Sequence, residues 1–371
     1  MRRIVLVGVL ALVFASPVAA QGVLGRLGRA VDKIDSFADQ LKDFAITEQE
    51  EKDMGEALSA RLRTKYGVVQ SAAVHKYVSL VGRVVASSSS RADLGWTFIV
   101  LDTDGVNAFA APGGYIHITR GGLALIDNEA ELAGALGHEI THVTARHTIN
   151  AIKKSKVKGA IAEKATRSDV LEYLINQAYD NLLENQYDQK DENQSDQIGV
   201  RMANAAGYAP NGLADFLTRL SERNKDLKEP SGVFASHPAT RSRVDRMAKQ
   251  IKSEKLTATA TVAARYSAAI SYKPVPVTSV VSGEGASSLA GSTEKPAAST
   301  TKPAAAPKSK FGLGGLTSKL GPDKTNTGTV ASAGTRGVNP DRDAKGGSNA
   351  RIVIVTLTPA DIEAFRRGIS G

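Results

Sequence analysis

The 371-residue chain contains no cysteine. That absence removes thiol nucleophiles, disulfides, cysteine-ligated metals and a lipidated N-terminal cysteine, so any metal site has to be built from His, Asp and Glu. Aromatic residues make up only 5% of the chain, and none of them interleave with basic runs as base-stacking surfaces require, which argues against nucleic acid as a partner. After the first fifteen residues there is no apolar run near the ~20 residues that span a bilayer. A 34-residue helical repeat is also missing. The balance of 47 Lys and Arg against 38 Asp and Glu leaves a moderately basic protein, which suits a polyanionic surface or simply a lysine-rich solvated one.

The N-terminus, MRRIVLVGVLALVFASPVAAQ, has the form of a secretory signal peptide. Arg2 and Arg3 supply the charge, Ile4 to Ala15 the apolar stretch, and Val18-Ala19-Ala20 the small residues before a cut near Ala20. Residues 21–256 then read as one mostly helical globular domain. Val31, Ile34, Phe37, Leu41 and Phe44 give an apolar helix face. Thr47 and Glu50 form a capping-box signature for a second helix, and Val74 to Val84 mark a third. Trp96 to Leu101 and Tyr115 to Thr119 carry strand composition with turn residues between them, which predicts a small antiparallel sheet. Asn128 is placed to cap a helix from Glu129 to about Ile149, and further helices are expected over 169–184, 187–206, 210–223 and 239–252. Residues 257–350 form an Ala/Pro/Ser/Gly/Lys-rich linker. From about 282 it holds too few large apolar side chains to offset ordering entropy, so disorder is expected there. Residues 351–371 read as a short strand and helix, either a docking element or a strand returning to the main sheet.

Three of the six histidines fall in GHEITHVTARH, Gly137 to His147. His138-Glu139-Ile140-Thr141-His142 is HExxH on a predicted helix, where positions i and i+4 share a face and two imidazoles can converge on one ion. Glu139 is turned about 100° away, beside rather than on the metal. Zinc would bring its bound water towards pKa ~7 and Glu139 would take the proton. Catalytic zinc usually takes three protein ligands. About 50 residues on, Glu192 and Asp196 again share a helix face, suited to one ligand and one group that orients a ligand histidine. On spacing alone this pair is equally a solvated acidic face.

NAFAAPGGYIHITRGGLALI (107–126), ELAGALGHEITHVTARH (131–147), ENQSDQIG, AAGYAP and SHPATRSR (236–243) follow one another in an order that resembles metallopeptidase family forty-eight, the gluzincins of the CAAX prenyl proteases, HtpX and BepA. The resemblance covers roughly residues 45–252. It implies an α+β zincin-like fold, mostly helical, with a small sheet beside the active-site helix. It also implies one Zn2+ per chain on His138, His142 and Glu192, from a Glu-x-x-Ala-Asp motif in which Ser195 replaces the alanine and Asp196 orients a ligand. Gln194 departs from the glutamate, and Gln189 from the arginine, found in many soluble members. The family's Ser/Thr-His-Pro lands on His237, expected either to assist Glu139 by stabilising negative charge or to gate the metal. Gly113, Gly114, Tyr115 and Ile116 are expected as the open sheet edge that binds substrate backbone. His147, His75 and His117 are read as structural or surface residues.

The resulting expectation is an exported, periplasmic zinc endopeptidase acting on unfolded or misassembled envelope proteins, with linker and tail contacting envelope proteins or the membrane surface. The alternative is a non-catalytic client-holding or envelope-binding protein that uses the basic linker and tail.

Overall fold

The structure, a computed structural model, describes residues 45–154, 166–184, 187–225, 240–276 and 349–369. The signal peptide, the helix expected around Val31 to Phe44, His237 and the linker over 277–348 lie outside them.

Helix α1 (Glu48–Tyr66) starts where the sequence placed it. The Thr47 side chain accepts from the Glu50 N–H, and the Glu50 carboxylate accepts from the Thr47 N–H at 2.9 Å, closing the capping box. Helix α2 (Ala72–Ala86) begins at Ser71. Strands β1 (Thr97–Leu101), β2 (Ala108–Ala111) and β3 (Tyr115–Thr119) form one sheet in the order β1-β3-β2. A short helix α3 (Arg120–Leu125) leads to α4 (Glu129–Thr144), whose first turn is capped by Asn128 accepting from the Glu131 N–H at 3.1 Å. Helices α5 (His147–Lys154), α6 (Arg167–Glu184), α7 (Gln189–Ala205), α8 (Gly212–Asn224), α9 (Thr240–Glu254) and α10 (Ala263–Ala269) follow, and α11 (Pro359–Arg367) closes the described chain.

Two expectations change here. The sheet is mixed rather than antiparallel: β3 runs parallel to β1 and antiparallel to β2. Ala108-Phe109-Ala110-Ala111 lacks the β-branched residues that announce a strand, yet Pro112-Gly113-Gly114, with Gly113 at φ 70°, turns it back onto β3 as a hairpin. Consequently Gly113, Gly114, Tyr115 and Ile116 do not form an open edge, because Tyr115 and Ile116 are paired on both sides, with Thr97 and Phe98 and with Ala111 and Ala110. The outer position belongs to β2, which is itself buried, and the Ala110 carbonyl accepts from the Thr148 hydroxyl at 3.3 Å.

Both sheet faces are covered. Phe98, Val100, Ile116 and Ile118 join the main core with Leu132, Leu136 and Ile140 of α4, while Ile99, Leu101 and Phe109 pack on Leu62 and Tyr66 of α1. Each fully buried leucine or isoleucine contributes about 1.5–3 kcal/mol. Residues 349–369 return to this domain. The Val68 N–H donates to the Asn349 carbonyl at 2.7 Å, Arg63 donates to Ala350, and Arg265 lies 3.9 Å over the Phe365 ring. The segment before α11 is extended but pairs into no ladder.

The second change concerns the helix expected to run to Ile149. It stops at Thr144, and Arg146 takes a left-handed φ of 56° before α5 begins at His147. A non-glycine residue in that region costs roughly 1–2 kcal/mol. An ion pair from Arg146 to the buried Glu51 carboxylate at 2.9 Å helps to offset it.

Candidate metal centre

Helices α4 and α7 cross with their backbones in contact. A Cβ on Gly137 would stand 2.9 Å from the Gly199 carbonyl oxygen, and one on Gly199 would stand 2.8 Å from the His138 nitrogen. Only two glycines allow that approach. It sets the His138–His142 face of one helix against the Glu192–Asp196 face of the other.

At the crossing, His138 Nε2 and His142 Nε2 are 3.1 Å apart. Glu192 places Oε1 3.3 Å from His142 Nε2 and Oε2 3.6 Å from His138 Nε2. All three side chains are buried, and they form the one His/Cys/Asp/Glu group able to hold a metal found among the described residues. Bonds of 2.0–2.1 Å to a tetrahedral ion put neighbouring ligand atoms about 3.3–3.4 Å apart, which the three measured separations bracket. Two imidazole nitrogens and a carboxylate are also the donor set that a borderline cation such as zinc takes. The residues therefore fit a metal.

Asp196 stands behind His138. Its Oδ1 accepts from His138 Nδ1 at 3.1 Å, which leaves Nε2 to face the centre. Burial alone would raise the Asp196 pKa. Hydrogen bonds from Arg243 and His138 outweigh it and hold the carboxyl down at about 2. Glu139 lies one position past the first ligand and is 3% exposed, within the same buried pocket.

Arg243 was not singled out in the sequence. It is 2% exposed and grips Asp196 with two nitrogens, at 2.6 and 2.8 Å, while its third stands 3.0 Å from Glu192 Oε2. One guanidinium thus balances two buried carboxylates. The available signal was its place in SHPATRSR, but neighbouring basic residues at 241, 246 and 249 make it read as a solvated face. Tyr187 was also missed. Its ring centroid lies 4.0 Å from that of His142, and its hydroxyl is 2.9 Å from that of Thr148. His147 is structural as read, though it reaches the site: its Nδ1 is 3.0 Å from His142 Nδ1, and burial lowers its pKa. His75 and His117 are packing residues, both fully buried.

Residues 72–251 match the sequence profile of Peptidase family M48. Among curated proteins the chain is similar to the beta-barrel assembly-enhancing protease of Escherichia coli, at 23% identity over 245 residues, covering 59% of this chain and 48% of that one. A putative beta-barrel assembly-enhancing protease of Vibrio cholerae is 26% identical over 220 residues, 54% of this chain and 43% of the other. The mitochondrial metalloendopeptidase OMA1 of Schizosaccharomyces pombe is 26% identical over 201 residues, 53% and 60% respectively. The chain thus spans less than half the length of the two bacterial proteases.

Proposed function

We propose, from the match of residues 72–251 to the profile of Peptidase family M48, that the chain is an exported zinc-dependent endopeptidase acting on unfolded or misassembled envelope proteins. One observation carries the reading: His138, His142 and Glu192, brought from two helices, turn their donor atoms to a common buried point, and the buried Glu139 follows His138 on the same helix.

His138, His142 and Glu192 would hold the zinc, which would supply a Lewis acid for the substrate carbonyl and for water ionising near neutral pH. Glu139 is the general base. Its carboxylate accepts the proton of the attacking water and then delivers it to the leaving amine nitrogen, so the peptide bond is hydrolysed without a covalent enzyme intermediate. Asp196 holds the His138 ring in the tautomer that ligates, and Arg243 pairs with both Asp196 and Glu192. His237 is assigned, from the sequence resemblance alone, to stabilising negative charge on the reacting carbonyl or to gating the site.

Burial of the centre supports the substrate class. A peptide bond reaches Glu139, itself 3% exposed, only on a segment that can leave its own fold and extend into the pocket. The beta-barrel assembly-enhancing proteases among the relatives point to envelope proteins as those substrates. The signal-peptide form of residues 1–20 supports export.

The test uses the purified mature protein loaded with zinc and incubated with unfolded casein. The wild type should cleave and stop on chelation. Glu139→Gln should lose about 100- to 10,000-fold of the rate, the usual worth of a general base. Equal, chelator-insensitive cleavage by both proteins would end the assignment. Casein binding without cleavage by the wild type would favour a client-holding protein.

A further inference from the structure

An imidazole offers the Nε2 lone pair to a metal only when its proton sits on Nδ1. For His138 the Asp196 carboxylate, which can only accept, enforces that choice. His142 Nδ1 instead faces another imidazole nitrogen, His147 Nδ1, at 3.0 Å. Two such nitrogens can share one proton in either direction, so this contact alone decides nothing.

The far side of the His147 ring breaks the tie. His147 Nε2 stands 3.2 Å from the Gln194 side-chain oxygen and 3.6 Å from Asp191 Oδ1, and both oxygens are acceptors. The proton of His147 therefore belongs on Nε2, and Nδ1 is left as an acceptor. The Ser195 hydroxyl, 3.4 Å from Nδ1, can donate to the same lone pair. His142 Nδ1 is then the donor: its 3.0 Å contact to His147 is shorter than the 3.3 Å from its Nε2 to Glu192 Oε1, and the Glu192 carboxylate is already paired with Arg243, so Nε2 faces the centre unprotonated.

We propose that His147 is a positioning residue: a hydrogen-bond relay from Gln194 through His147 fixes the tautomer of His142, as Asp196 fixes that of His138. This rests on the zinc reading above. The broken helix makes the relay possible. Had α4 continued, position 147 would be turned about 140° from His142, five steps of 100°. The left-handed Arg146, held by Glu51, brings the ring back onto its neighbour. Gln194 and Ser195, neighbours on α7, both meet the same histidine.

The relay predicts opposite effects for two changes at one exposed position. Gln194→Glu keeps an acceptor and should leave His142 protonated on Nδ1. Gln194→Lys, made in an Asp191→Ala background so that no acceptor remains at Nε2, puts a donor there, reverses both hydrogen bonds and should drive the His142 proton to Nε2. Imidazole 15N chemical shifts in the chelator-treated protein read the tautomer directly. Zinc affinity, from competition with a chromophoric chelator, should fall about 10- to 100-fold in this double variant and in His147→Leu, as losses of a ligand's hydrogen-bond partner do. His147→Asn, whose side-chain oxygen can replace the Nδ1 acceptor, should recover most of it. A His142 tautomer and zinc affinity that stay at wild-type values in the double variant would overturn the proposal. Because Gln194 is exposed, that variant decides the matter even if His147→Leu does not fold. Failure of the wild type to bind zinc would instead strike at the zinc reading, while the 15N shifts would still report on the relay.

Discussion

Consider Arg243→Met, which keeps most of the side chain's length and deletes its charge. In the wild type one guanidinium faces Asp196 and Glu192, which are 3% and 1% exposed. At a charge separation near 4 Å and an effective dielectric constant of about 20, each contact is worth roughly 4 kcal/mol before desolvation. Removing one partner of a buried pair typically costs about 3–5 kcal/mol, because the remaining carboxylates stay buried without compensation. The loss should therefore fall in that range in chelator-treated protein, with Tm lowered by about 6–20 °C for a domain of this size. Zinc should shrink the loss, since a divalent cation on Glu192 restores part of the missing charge. Calorimetry and urea unfolding, each with and without zinc, measure both effects. A cost under ~1 kcal/mol without metal would mean that the carboxylates are solvated and that the charge balance drawn here is wrong.

Two further outcomes follow from packing and burial. Gly199→Ala puts a methyl group 2.8 Å from the His138 nitrogen, so the helices must part; a loss of about 1–3 kcal/mol in urea unfolding and weaker zinc binding are expected, and unchanged affinity would contradict the close crossing. His117, fully buried on β3, has its pKa pushed down to about 3 by burial, against ~6.5 unfolded. Between those values the unfolded chain binds the extra proton, so stability is intact above pH 6.5 and falls as the pH drops, by about 2 kcal/mol at pH 5. His117→Gln, which cannot take up that proton, should flatten this acid slope, and superimposable slopes from pH 4 to 6.5 would refute the assignment.

The parts that read correctly from sequence were those whose signal is local. HExxH needs one helix turn, the Thr47 cap needs three residues, and β1 and β3 announce themselves by composition. β2 did not, because three alanines, which disfavour strands, outnumber its one phenylalanine, and its place is set by the turn that follows it. The break at Arg146 was invisible for a related reason: no Gly or Pro marks it, and a distant glutamate stabilises it. Arg243 sits among other basic residues, and only the fold separates the one that is buried from those that are wet. Glu192 and Asp196 lay between these cases, ambiguous by spacing and distinguished by the family pattern before geometry brought them to the histidines.

The contact between Gly137 and Gly199 also bears on how the site meets its ion. Sliding α7 by a single residue would shift it 1.5 Å and rotate it 100°, and backbones already touching leave no slack for smaller adjustments. The three ligands are thus assembled when the chain folds, and capture of the ion demands little further ordering. Stripped and loaded protein should share one backbone, with the entropy of bringing the three side chains together from two helices spent long before any cation arrives.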